Sequence, residues 1–255
     1  MAVPGMDFSL IAYQQLLHAL IKAEYRFQTF AEFLQHPLPR CIILRHDVDL
    51  MPANSLRFAH LQHQLGIQGV YYFRAVPESW DESIIRTIAA LGHEIGYHYE
   101  CLTTCRGNMA AGIIDFERNL TALRALASVQ TICMHGSPLS PYDSKDLWKV
   151  YDYKSYGILG EPYFDVNFNQ VFYLTDTGRR WDGDQVSVRD KVKSGFALRF
   201  HSTDEIIRAV GNKELPDRIM FTFHPQRWND NLYYWCRELL LQTVKNLVKK
   251  YYYVR

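Results

Sequence analysis

Cys41-Ile42-Ile43-Leu44-Arg45-His46-Asp47-Val48-Asp49 decides the fold, because a run of β-type apolar residues ends abruptly in an imidazole and two acids. A strand apolar on both faces is covered on both faces, which is the habit of parallel sheets. The next segment agrees. From about Ala53 to Leu65 the pattern is helical, and Gly66 stops it.

Outward from this unit the alternation repeats. The spacing predicts strands at Val70–Phe73, His93–His98 and Thr131–Met134, and helices at Glu82–Leu91 and about Ala110–Ala127. Repeated strand–helix units imply a parallel sheet, open or closed into a barrel. Before them, three-to-four spacing from Phe8 to Ile21 and a short run at Phe30–Leu34 predict N-terminal helices within residues 1–40, packed on the sheet. From Pro138 to Asp190 the pattern gives way to an aromatic, loop-rich stretch. A last strand at Ile219–Phe223 and a helix from about Leu232 to Lys249 close the chain. With no linker or repeat, residues 1–255 read as one domain.

Bulk numbers narrow the class. A chain of 255 residues buries about 70–75% of its unfolded surface, so one core suffices. Hydrophobic residues are 48% and charged residues 22%, as in ordinary globular domains. A net charge of +1 from 28 basic and 27 acidic residues leaves no footprint for nucleic acid or anionic membrane; Lys245, Lys249 and Lys250 form only a local cluster. No stretch reaches the roughly 18 apolar residues of a membrane span. The start shows no secretory pattern, and five cysteines without CxxC pairing point to reduced thiols in the cytoplasm.

Parallel α/β folds place ligands at the carboxyl ends of strands. There the sequence puts Asp47 and Asp49, His98-Tyr99-Glu100, His135-Gly136-Ser137 and His224-Pro225. Asp47 and Asp49, two apart in extended backbone, share a side; neighbouring carboxylates need a cation or a proton between them. The other reading of Asp49 is a cap for the helix after Pro52. Asp49 with His98 makes a mixed oxygen and nitrogen donor set suited to Zn²⁺, with Fe²⁺, Co²⁺ or Mn²⁺ as alternatives. His93, at the start of its strand, reads as structural.

These motifs, together with Gly92-His93-Glu94-Ile95-Gly96 and Phe221-Thr222-Phe223-His224-Pro225, resemble a divergent member of the polysaccharide deacetylase (NodB-homology, carbohydrate esterase 4-like) family. The resemblance covers about Cys41 to Pro225 and implies a distorted parallel (β/α)7-type barrel. It also implies Asp47 as catalytic base, Asp49 and His98 as metal ligands and His224 as general acid. Two positions depart from it. Leu102 stands where the second metal histidine is expected, which leaves His135 or Glu100 to supply the third ligand. The arginine that orients the base is missing from the fourth strand's end, with Arg45, Arg74 and Arg179 as its candidate replacements.

On this resemblance the chain is expected to remove an N-acetyl or similar acyl group from an amino sugar of a surface polysaccharide. A divalent transition metal, zinc, is the expected cofactor. The loop Tyr173 to Gly183, with Asp176, Arg179, Trp181 and Asp182, has the polar and aromatic groups for a sugar. Two alternatives stay open: hydrolysis of another amide, such as a cyclic ureide or imide, and a metal-free glycan-binding relative.

Overall fold

Apolar blocks alternate with amphipathic ones along most of the chain, and in the computed structural model they become strands and helices in turn. The structure describes residues 6–137, 140–182 and 192–252, with side chains to 247. The order is α1 (Leu10–Lys22), β1 (Arg26–Gln28), α2 (Phe30–Gln35), β2 (Cys41–Val48), α3 (Pro52–Gln64), β3 (Val70–Phe73), α4 (Glu82–Ala90), β4 (Glu94–Tyr99), α5 (Cys101–Thr104), α6 (Met109–Arg124) and β5 (Val129–Met134). Then come α7 (Pro162–Asp165), β6 (Phe172–Thr175), α8 (Thr203–Gly211), β7 (Arg218–Phe223) and α9 (Leu232–Tyr252).

The seven strands are parallel, in the order β5-β4-β3-β2-β7-β6, with β1 beside the first residues of β2. Among the described residues no ladder joins β5 to β6. The chain before and within α7 lies there instead: Thr131 bridges to Gly160, and the Met134 amide donates to Glu161. The result is the α/β architecture expected, an incompletely closed seven-stranded parallel barrel.

Strand β2 is buried along its whole length, and its period of two sorts its side chains. Ile42, Leu44, His46 and Val48 face the helical layer. Cys41 and Ile43 pack inward with Val70, Tyr72, Cys133 and Met220, and Arg45 and Asp47 continue that inner row. Gly96 is needed inside, because a Cβ there would run into the Tyr72 ring.

His46 is a polar group in the outer layer that stays neutral. Its ring stacks on Tyr71 at 4.1 Å, Nδ1 pairs with the Val70 carbonyl at 3.0 Å, and Nε2 meets Gln62 at 2.8 Å and the Tyr13 hydroxyl at 3.2 Å. Burial pushes its pKa down to about 3. His93 is likewise a core residue, paired with the Ala59 carbonyl at 2.9 Å and the Gly69 amide at 3.2 Å. Burial lowers it to about 4.

Both histidines titrate lower in the folded chain than in the unfolded one, so their stabilisation is complete above about pH 6.5 and lost as pH falls toward 3–4. For His46 the full effect is about 5 kcal/mol. Urea midpoints measured across this interval should fall steeply with acidity, and His46→Gln, less stable throughout, should show a flatter profile. An identical slope in the variant would exclude His46 as the source.

Candidate metal site

At the inner end of β2, Arg45 and Asp47 form a buried fork-to-fork pair. Arg45 Nε donates to Asp47 Oδ1 at 2.8 Å and Nη2 to Oδ2 at 2.6 Å. The guanidinium lies under the Tyr163 ring, 5.3 Å from its centroid. Of the three candidate arginines, Arg45 is therefore the one that holds Asp47. Arg74 instead grips Glu100 through Nε and Nη2, at 2.9 and 3.0 Å, and donates to the Asp49 carbonyl.

Asp49 follows the strand and stands at the centre of three imidazoles. Its Oδ1 lies 3.6 Å from His98 Nε2 and 3.6 Å from His135 Nε2, and its Oδ2 lies 3.9 Å from His224 Nε2. It does not cap α3; that position falls to Met51, in left-handed backbone before Pro52, without a side-chain cap bond. Gln226 donates to Oδ2 at 3.2 Å, whereas Oδ1 is buried and accepts no hydrogen bond among the described residues.

Each imidazole is fixed through its other nitrogen. His98 Nδ1 pairs with the Cys133 carbonyl at 2.9 Å, His135 Nδ1 with Glu100 Oε2 at 2.9 Å, and His224 Nδ1 with Asp176 Oδ1 at 2.5 Å. Such outer partners set the tautomer and aim Nε2, as they do for metal-ligating histidines. Burial raises the Asp49 carboxyl, but the neighbouring imidazoles outweigh it and hold the group well below its usual range. Burial disfavours protonated His98, yet Asp47 and Asp49 outweigh it and raise that histidine. The cluster thus favours positive charge.

A tetrahedral ion bound at about 2.0–2.2 Å has ligand atoms about 3.3–3.6 Å apart. The two 3.6 Å spacings about the unpartnered Asp49 oxygen fit that requirement. Among the described residues, Asp47, His98 and Cys133 are the group whose donor atoms all lie within 4.8 Å of one another. It is the poorer candidate, since Arg45 already engages both oxygens of Asp47.

Several expectations are corrected. Glu100 is no ligand alternative, because Arg74 and His135 occupy its oxygens. Trp181 is 4% exposed; it packs on Phe8, Phe221 and Phe223 and donates to Thr203, so its ring offers no sugar platform. Asp176 is fully buried and accepts from the His224 amide, Trp228 Nε1 and Arg227 as well as from His224 Nδ1. It holds His224 and cannot reach a substrate. Arg179 is buried against Trp235 and donates to its carbonyl at 3.0 Å. Asp182 is engaged by Arg180 and His201; Gly183 lies outside the described residues.

Sequence reasoning missed Arg227 and Trp228, which share Asp176 with His224. Their signal was proximity: both follow His224 within four residues, across the turn begun by Pro225. It also missed Glu161, buried beside Arg45, whose carboxyl burial pushes up to about 7. Leu102 is buried in α5 and meets the α6 backbone near Gly112, away from any donor role.

No family model and no curated protein matches the chain. Solved structures with a similar course include a carbohydrate esterase family 4 pseudoenzyme from Bacillus anthracis, at 10% identity and a TM-score of 0.46, covering 82% of this chain and 63% of that one. A family 4 esterase from Streptococcus mutans matches at 14% identity and TM-score 0.44 over 87% and 86% of the two chains. A family 4 carbohydrate esterase from Bacillus subtilis matches at 12% and 0.43 over 91% and 84%. The chain thus spans under two thirds of the length of the Bacillus anthracis protein.

Removing one partner of the Arg45–Asp47 pair leaves a buried charge, which costs about 3–5 kcal/mol, whereas replacing both by apolar groups is often near neutral. Arg45→Met should lower unfolding free energy by that amount in urea titrations, and Arg45→Met with Asp47→Leu should recover more than half. A single-variant loss under about 1 kcal/mol, the level of an exposed pair, would contradict this placement.

Proposed function

We propose that the protein is a metal-dependent hydrolase that removes an acyl group, acetyl or a close analogue, from the nitrogen of an amino sugar. The carrying observation is the Asp49 carboxylate with three imidazole Nε2 atoms turned toward it, each fixed from behind. Asp49, His98 and His135 are the residues that would hold a divalent cation, and zinc suits their mixed donors best. Such a cation supplies Lewis acidity for an acyl carbonyl and lowers the pKa of water.

The remaining chemistry belongs to side chains. Asp47, oriented by Arg45, accepts the proton of the attacking water. His224, with Nδ1–H directed at Asp176, presents Nε2 toward Asp49 and passes a proton to the departing amine. Asp176 holds the ring in place for that transfer, and burial excludes competing water. Support for a sugar substrate comes from the order of the strand-end motifs and the Gly92–Gly96 run, and not from the 176–182 loop. The five cysteines are thiols in the structure, which suits a reducing, cytoplasmic setting.

Protein purified without added metal should carry about one equivalent of a transition metal, a structural ratio set by one site. Elemental analysis of Asp49→Ala and His98→Ala should show its loss. Against a panel of N-acylated amino sugars, Asp47→Asn and His224→Ala should reduce kcat by about 10²–10⁴ with metal retained. Absence of metal even after zinc addition, with sugar binding intact in Asp49→Ala, would replace this reading by a non-catalytic glycan binder.

A further inference from the structure

Helix α9 is amphipathic in the reverse sense. Between residues 232 and 247 the positions turned to the body are Trp235, Glu238, Gln242 and Asn246, three to four apart, while the rest are exposed. Three of these inward residues are polar. Gln242 is buried, Asn246 donates to the Gly178 carbonyl at 2.8 Å, and Trp235 Nε1 donates to the Asp7 carbonyl at 2.6 Å. The apolar stripe faces out: Tyr233, Leu240, Val244 and Leu247 are 71, 68, 60 and 52% exposed, at spacings that keep them in line along the helix.

Charge selects the occupant. From Leu232 to the end the chain has Arg237, Lys245, Lys249, Lys250 and Arg255 against the single acid Glu238, so a chain of net charge +1 concentrates its positive excess here. Pairing with a second copy would set these cations against each other, with the one acid turned inward. An apolar stripe with exposed tyrosines, in a segment this basic, instead suits an interface rich in anionic headgroups. No helix among the described residues is long and apolar enough to cross a membrane, so the contact is peripheral.

We propose that α9 docks the protein on an anionic lipid surface, lying in the headgroup layer with Leu240, Val244 and Leu247 down. This revises the expectation of no membrane footprint, which averaged the charge over the whole chain. The helix rests on the loop that carries Asp176, through Asn246 to Gly178 and Arg179 to Trp235, so the face opposite the docking surface is joined to the loop behind His224. The inference is independent of the proposed chemistry.

The test is flotation of the full chain with vesicles of phosphatidylcholine alone or in equal parts with phosphatidylglycerol. The protein should float with the anionic vesicles, remain behind with the neutral ones, and be released by high salt. Lys245→Glu should weaken partitioning about thirtyfold, the effect of reversing one charge near the surface, and Leu240→Glu with Val244→Glu should weaken it at least about tenfold. Both variants change exposed positions, and unchanged melting temperatures would verify their folding. Failure to float with anionic vesicles overturns the proposal, as does a lipid-free dimer dissolved by Leu240→Glu in a protein that does not float.

Discussion

The buried pair between Arg45 and Asp47 is the constraint from which the rest of the site follows. Two charges on the inner face of one strand, two residues apart, cannot be left in an apolar barrel without each other. Together they convert the carboxyl end of the interior from hydrocarbon to charge. Tyr72 and Tyr163 lie near the guanidinium with their ring faces, and Gly96 leaves the space that Tyr72 needs. The lower half of the same row, Cys41 and Ile43, remains an ordinary apolar core.

Above that pair, negative charge meets imidazoles whose orientation is imposed from outside the cluster. A backbone carbonyl, Glu100 and Asp176 each take one Nδ1–H, and Arg74 and Arg227 neutralise the two carboxylates. The charges alternate outward from Asp49, so each shell stabilises the next. The unpartnered Asp49 oxygen, with two imidazole nitrogens 3.6 Å from it, is the place where one more positive group fits.

Much of this was legible in the sequence because strand ends are legible. Apolar runs such as Cys41–Leu44 fix where a strand lies, and the residues that break them, Asp47, His98, His135 and His224, are brought to one end of the sheet. Strands β1 and β6 and helix α8 were not foreseen. Strand β1 has three residues with one buried, and β6 is hidden among the aromatics of its loop-rich surroundings. Composition misjudged the 176–182 loop for a different reason: it records which groups are present and not which way they face. Trp181 and Asp176 carry functional groups, but the core claims both. That Arg45 pairs with Asp47 and Arg74 with Glu100 is a choice made in three dimensions.

The segment around Asp7 joins parts of the molecule that are far apart in the chain. Its carboxylate accepts from the Thr203 amide and hydroxyl, its carbonyl accepts from Trp235, and the next carbonyl, of Phe8, accepts from the Asn229 amide. Leu10 adds a bond to Asp230. A latch of this kind makes fraying at the two ends a single event: α1 cannot peel away without releasing the start of α9, and α9 cannot lift without loosening the strap over Trp181. In hydrogen exchange the amides of Leu10, Thr203 and Asn229 therefore belong to one cooperative opening unit, although nearly the whole sequence lies between the first and the last of them.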